Sequence, residues 1–190
     1  KLDMAQLQEI WEGKLEPVYP YRKAGPTVEK INGKLTAPAA PKIGVAKPKV
    51  IIPVFPGTNC EYDTAKAFAR AGADPEILVI RNLTPADVTA SCEALVKAIG
   101  ESQIVMLPGG FSGGDEPDGS AKFIASFFRS PAVTEAVRDL LQHRDGLMLG
   151  ICNGFQALIK LGLVPYGDIR PITAYDPTLT FNTIGRHQSM

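Results

Sequence analysis

The sequence predicts an α/β fold: a doubly wound, mostly parallel sheet in three layers, with an N-terminal helix and linker ahead of it. Three observations lead there. Short apolar runs occur at 50–55, 77–80, 104–107 and 147–151. Amphipathic helical patterns separate them. Three of the runs end in glycine-marked loops. Continuously apolar strands alternating with helices imply a parallel sheet covered on both faces, and ligands bind such a sheet outside the carboxyl ends of its strands.

In chain order, residues 1–48 stand apart. A short amphipathic helix is expected from Leu2 to Trp11, with Met4, Leu7, Ile10 and Trp11 on one face. A lone helix of about ten residues is marginal in water, so Trp11 is expected to dock on something. Prolines 17, 20, 26, 38, 41 and 48 then mark a linker. The sheet domain is expected over 49–190. The β-branched run 50–55 reads as a strand containing Pro53, and Pro56-Gly57-Thr58-Asn59 as a turn. A helix follows through Ala65, Phe68 and Ala69. After strand 77–80, Val88, Cys92, Leu95, Val96 and Ile99 recur at helical spacing. Strand 104–107 ends in Pro108-Gly109-Gly110. Helical patterns then run through Phe123, Ile124, Phe127 and Phe128, and through Val133, Val137, Leu140 and Leu141. The last strand is 147–151, and a helix begins after Cys152. There is no internal repeat.

Composition removes several function classes. Twenty basic residues balance twenty acidic ones, so the sequence carries no nucleic-acid footprint and no polybasic membrane patch. No apolar run reaches the roughly 18 residues of a membrane span, and no signal-peptide pattern opens the chain. Cys60, Cys92 and Cys152 are odd in number and lack CxxC spacing, which argues against a disulfide framework and for a reducing, cytoplasmic setting. His143 and His187 match no metal-ligand spacing. The ends, at Lys1 and Met190, read as those of a piece of something longer.

Gly150-Ile151-Cys152-Asn153-Gly154 has the form of a nucleophile elbow with cysteine in place of serine. A sharp strand-to-helix turn exposes the nucleophile on a strained backbone. The residues two before and two after it then approach too closely for a Cβ. The helix beginning at Asn153 aims its N–H groups and dipole at the sulfur, which favours a thiolate, and the Asn153 N–H is a natural oxyanion donor. The alternative is a buried structural cysteine beside two turn glycines. Cys92, on an apolar helical face, reads as core; Cys60, at a loop-to-helix junction, reads as packing or capping. The loop 108–115 lacks the lysine and spacing of a phosphate-binding loop. Gly109-Gly110 better serves as a second oxyanion donor, a contribution typically of about 3–4 kcal/mol. Asp115, Glu116 and Asp118 read as a solvated loop face.

Three loops together resemble one family. Phe55-Pro56-Gly57-Thr58-Asn59-Cys60-Glu61, Pro108-Gly109-Gly110-Phe111-Ser112-x-Gly114-Asp115 and Gly150-Ile151-Cys152-Asn153-Gly154-Phe155-Gln156 are similar to class I, triad-type glutamine amidotransferases. Within that class they resemble the glutaminase of phosphoribosylformylglycinamidine synthase, which serves purine biosynthesis. The resemblance implies a flavodoxin-like sheet and a glutaminase in which Cys152 attacks the side-chain amide of glutamine to form a thioester. It implies Gly110 and Asn153 as oxyanion donors, and Gly109, Phe111, Ser112 and Gln156 as glutamine-binding residues. No metal or cofactor is implied for these residues. ATP and Mg²⁺ belong to the partner that the resemblance implies, a synthetase domain or subunit that converts formylglycinamide ribotide to its amidine. Residues 1–48 would be the tail of that synthetase and its linker.

One part of the family's pattern is missing. The family completes its triad with a histidine and a glutamate two residues apart, after the elbow. Residues 153–190 contain no His-x-Glu. His187 reads as a surface or packing residue and His143 as a helix-end residue. The 190 residues are therefore expected to be a weak or inactive glutaminase. Two other readings stay open at this stage: a different elbow-type cysteine hydrolase, and a non-catalytic module that docks a synthetase.

Overall fold

The first apolar run is buried over most of its length because it lies in the middle of the sheet. The computed structural model describes residues 2–18, 44–112 and 121–179. In strand β1 (Lys49–Val54), Val50, Ile51 and Ile52 have no exposed surface. β2 (Asp74–Val79) pairs on one side of it and β3 (Ile104–Leu107) on the other, with β4 (Leu147–Gly150) beyond β3. All pairs are parallel, so the order is β2-β1-β3-β4. This is the doubly wound arrangement expected, and its strand order reverses between β1 and β3, the switch point at whose carboxyl ends such sheets bind ligands.

Two prolines fit this sheet for a geometric reason. Backbone groups of a parallel strand point alternately toward its two neighbours. The Val54 carbonyl accepts from the Ile80 N–H (2.8 Å) and the Pro48 carbonyl from the Asp74 N–H (2.9 Å), so even-numbered residues of β1 face β2. Pro53 therefore turns its missing N–H toward β3, beyond Val50 and Ile51 where that pairing ends. By the same alternation Pro75 faces the outer edge of β2. Neither removes a ladder bond. β2 starts three residues before the predicted run, at Asp74. Its first half is polar because it is an edge.

Helix α2 (Glu61–Arg70) takes the chain from β1 to β2, and α3 (Pro85–Glu101) returns it across β1 to β3. Right-handed crossovers run in opposite directions lie on opposite faces. On the α2 face, Ala65 and Phe68 pack on Val50, Ile52 and Met106. On the other, α3, α4 (Lys122–Phe128), α5 (Pro131–Arg138) and α6 (Asn153–Leu161) bury Leu95, Phe128, Val137 and Leu158 against Ile51, Val105 and Leu107. Phe55 anchors this side with edge-on contacts to Phe123 (5.7 Å) and Phe127 (5.5 Å).

The helix ends have identifiable caps. Thr84 Oγ1 accepts from the Asp87 N–H (3.1 Å) at the start of α3, followed by Pro85 in the first turn. At its other end the Arg144 guanidinium donates to the carbonyls of Ile99, Gly100 and Ser102. The single helix expected through Leu141 is α5 followed by a π-helical turn, Asp139–His143. A short helix not foreseen, α7 (Leu163–Tyr166), follows α6. Arg138 ties α5 to the segment beyond it, donating to Asp168 (2.8 and 3.2 Å) and to the Ile169 carbonyl (3.1 Å). The Arg138 hydrogen bonds hold the Asp168 carboxyl below the usual carboxylate range.

Helix α1 (Met4–Gly13) lies in a separate unit. Asp3 caps it, accepting from the Ala5 N–H (2.9 Å). No residue of α1 is buried, and Trp11 is 84% exposed. The proline-rich stretch 19–43 is outside the described residues. Among the described residues no helix is long and apolar enough to cross a membrane.

Two stability predictions follow from this packing. Phe128→Ala should cost about 3–5 kcal/mol in a denaturant titration, since the ring is fully buried. Asp168→Asn should destabilise at pH 7. Because the folded carboxyl is shifted down, the stability it contributes is present above its unfolded value and lost as pH falls through the folded one. The gap between variant and parent should therefore close in melts taken below about pH 4.

Candidate active site

The loops after β1, β3 and β4 leave the same edge of the sheet and interlock. The elbow is built as the sequence pattern requires. Cys152 has φ +52° and ψ −108°, a conformation rare for a residue with a side chain, and it is exposed. A Cβ on Gly150 would lie 2.6 Å from the Gly154 carbonyl carbon. One on Gly154 would lie 2.6 Å from the Leu107 carbonyl carbon at the end of β3. Both obstacles are backbone, so neither can move aside. The Ile151 N–H donates to the Leu107 carbonyl (3.1 Å), and α6 starts at once, with Gln156 N–H donating to the Cys152 carbonyl (3.0 Å).

The loop after β3 lies against this elbow. A Cβ on Gly109 would sit 3.5 Å from the Cys152 Cβ, an ordinary contact. Gly110, at φ +139°, has no such room: a Cβ there would run into the Gly57 carbonyl and lie 2.7 Å from the Asn59 nitrogen. The loop after β1 holds it from the other side. The Asn59 N–H donates to the Gly109 carbonyl (2.8 Å), and the Phe111 N–H to the Gly57 carbonyl (2.8 Å). Thr58 closes its own turn, its hydroxyl oxygen accepting from the Phe55 N–H (3.0 Å). Thr58 and Asn59 are thus supporting residues that the sequence reading passed over; the signal was the bend at Gly57, which has φ +89°.

A buried polar relay joins the second loop to the elbow. Ser112 is fully buried and Asn153 is 1% exposed. Asn153 Oδ1 accepts from the Ser112 hydroxyl (2.7 Å) and from its N–H (3.3 Å), while Nδ2 donates to Gln156 Oε1 (3.2 Å). Ser112 therefore points inward, toward Asn153, whereas Phe111 is 59% exposed at the same edge.

The remaining candidates fall elsewhere. Cys60 holds the N-cap position of α2 at φ +67°, but its exposed side chain makes no cap bond, so the packing or capping role is not what it does. Cys92 packs partly buried at the rim of the core, 3.5 Å from the Ser130 hydroxyl. His143 precedes the amino end of β4, on the opposite edge of the sheet from Cys152, and pairs with Asp139 (3.4 Å). Asp115, Glu116, Asp118 and His187 lie outside the described residues. Among the described residues no cluster of three His, Cys, Asp or Glu could hold a metal ion. A cleft of about 550 Å³ between α5 and residues 169–172 is remote from this chemistry, and its Arg138 is held by Asp168.

Comparison with known proteins agrees with the geometry. Residues 47–190 match the family model of the CobB/CobQ-like glutamine amidotransferase domain. Phosphoribosylformylglycinamidine synthase subunit PurQ of Dehalococcoides mccartyi is 35% identical over 144 residues, covering 76% of this chain and 51% of that protein. The subunit PurQ of Cereibacter sphaeroides is 41% identical over 117 residues, 62% of this chain and 44% of that one. The chain thus spans about half, or less, of the length of these relatives. A chain in the solved structure of PurLQS from Thermotoga maritima aligns at 28% identity and a TM-score of 0.41, over 62% of this chain and 45% of that one.

The two loop glycines should behave differently on substitution. Gly110→Ala should destabilise the fold by about 1–3 kcal/mol through backbone strain, measured by denaturant titration. Gly109→Ala should leave stability within about 1 kcal/mol, and its effect should appear instead as slower alkylation of Cys152, which the new methyl touches.

Proposed function

The chain belongs to the CobB/CobQ-like glutamine amidotransferase domain family, and from that premise we propose that it is the glutaminase part of a phosphoribosylformylglycinamidine synthase. The observation that carries this reading is the elbow: an exposed cysteine on a strained backbone, locked by glycines 150 and 154 and flanked by Gly109. In this reading Cys152 Sγ attacks the side-chain amide carbon of glutamine. The carbonyl oxygen becomes an oxyanion that the N–H groups of Asn153 and Gly110 receive. Collapse expels ammonia and leaves a glutamyl thioester, which water hydrolyses to glutamate. The thiol proton must reach the departing nitrogen, and general-base help with such a transfer is worth about 10²–10⁴-fold.

Gly109, Phe111 and Gln156 would line the glutamine site. The ammonia would pass to a synthetase domain or subunit that uses ATP and Mg²⁺ to make the amidine from formylglycinamide ribotide. Support for that partner is the name of the relatives, each a subunit of the synthase. Three unpaired cysteines fit a reducing, cytoplasmic setting.

Peptide-mapped alkylation with a glutamine-like chloroketone tests this reading. Cys152 should be labelled ahead of Cys60 and Cys92, and excess glutamine should protect it. Cys60 is an internal control, since it too is exposed at the start of a helix. Equal labelling of Cys60, or no protection by glutamine, would overturn the assignment. In a glutamate-release assay the 190-residue chain should turn over slowly or not at all, because residues 153–190 contain no His-x-Glu to supply a base and His143 is on the wrong edge to replace it.

A further inference from the structure

We propose that Thr58 is a positioning residue for the oxyanion site: its hydroxyl clamps the turn after β1, and the clamped turn aims the Gly110 N–H toward the side of its loop where Cys152 stands. The inference rests on the glutaminase reading above, in which that N–H receives the oxyanion. Thr58 and Gly110 form an isolated antiparallel bridge. It joins the loops that leave β1 and β3, two strands that themselves run parallel.

Such a bridge decides a direction. Two bonds flank it, from the Asn59 N–H to the Gly109 carbonyl (2.8 Å) and from the Phe111 N–H to the Gly57 carbonyl (2.8 Å). In a trans peptide the C=O and the following N–H point opposite ways. The Gly109 carbonyl faces the β1 loop, so the Gly110 N–H faces away from it. β4 and the elbow lie on that other side of β3. The bridge is held in turn by residues 55–58. Pro56 followed by Gly57 at φ +89° is the pattern of a type II turn. The Thr58 N–H closes it onto the Phe55 carbonyl (2.8 Å), and Thr58 Oγ1 accepts from the Phe55 N–H (3.0 Å). Both backbone groups of Phe55 thus end on Thr58, while the Phe55 ring is fixed in the core by Phe123 and Phe127. At the bridge the two backbones touch: a Cβ on Gly110 would lie 2.8 Å from the Thr58 Cα. A shift of Thr58 is therefore passed to the Gly109–Gly110 peptide. An oxyanion donor must lie about 2.7–3.1 Å from the developing charge, and a hydrogen bond weakens steeply as it bends. A small swing of this peptide is felt where charge develops, not where the rest of glutamine is held.

The test follows labelling of Cys152 by the glutamine-like chloroketone against its concentration, in the parent chain, Thr58→Val and Thr58→Ser, and separates the limiting rate from the half-saturating concentration. The sulfur adds to the ketone carbon, whose oxygen takes up charge where the amide oxygen of glutamine would. The sulfur then bonds to the neighbouring methylene as the carbonyl re-forms and chloride leaves. Iodoacetamide labelling is followed in parallel as a probe of the thiol that does not depend on glutamine recognition. Valine keeps the shape of threonine and the backbone bond of the turn, but offers the Phe55 N–H no oxygen. In Thr58→Val the limiting rate should fall about tenfold, part of the roughly 10²–10³-fold typical of losing an oxyanion donor outright, with the half-saturating concentration, glutamine protection and iodoacetamide labelling unchanged within about twofold. Thr58→Ser, which keeps the hydroxyl, should restore most of the limiting rate. An unchanged limiting rate in Thr58→Val overturns the proposal. So does a matching fall in iodoacetamide labelling, or failure of Thr58→Ser to restore the rate, either of which makes Thr58 a support for the fold alone. Should Thr58→Val fail to fold, Thr58→Ala takes its place in the comparison with Thr58→Ser. Absence of both saturation and glutamine protection in the parent chain sinks the glutaminase reading itself, a result distinct from all of these.

Discussion

The arrangement turns on one close approach: the backbone of Gly154 against the Leu107 carbonyl at the end of β3. It seats the first turn of α6 on a strand that is not its own. Strand β4 delivers the chain to the elbow, but β3 defines where the elbow rests, through this contact and the Ile151 N–H to Leu107 carbonyl bond. β3 also launches the loop bearing Gly109 and Gly110, so Cys152 and the glycine pair take their positions from a common origin. The loop after β1 then needs only to brace, and its two backbone bonds to that second loop do so. The strained φ of Cys152 is sustained because burial of Ala157, Leu158 and Leu161 on the far side of α6 holds the helix down.

Much of this was readable from the chain. Strand 104–107 and the helix after Cys152 were placed correctly because both are buried on one or both sides and carry unbroken apolar signals. The glycines at 150 and 154 were readable because only steric exclusion explains a pair so placed. What escaped was set by context. β2 begins at Asp74 because an edge strand needs no apolar face toward solvent, so Asp74, Pro75 and Glu76 gave no strand signal. The π-helical turn after α5 leaves no mark on hydrophobic spacing.

The site shows the same division. Cys152, Gly110 and Asn153 were singled out in the sequence, and the backbone geometry of their loops brings them to one edge. Ser112 was found as a loop residue, but its direction was not legible, since a hydroxyl beside a glycine pair looks the same whether it faces a ligand or a buried amide. Only the tertiary meeting of residues 41 apart in sequence decides it. Cys60 was misjudged for the converse reason: a helix N-cap position suggests a side-chain bond, but a thiol is a weak acceptor and this one makes no cap bond.

Helix α6 carries the strained Cys152 at one end and a large part of the core along its inner face. No hinge separates the two. Reactivity of the thiol and cohesion of the core therefore belong to one cooperative unit. Loosening the first turn of α6 therefore exposes apolar surface of the core as well, so the strain at the elbow is opposed by burial along the same helix.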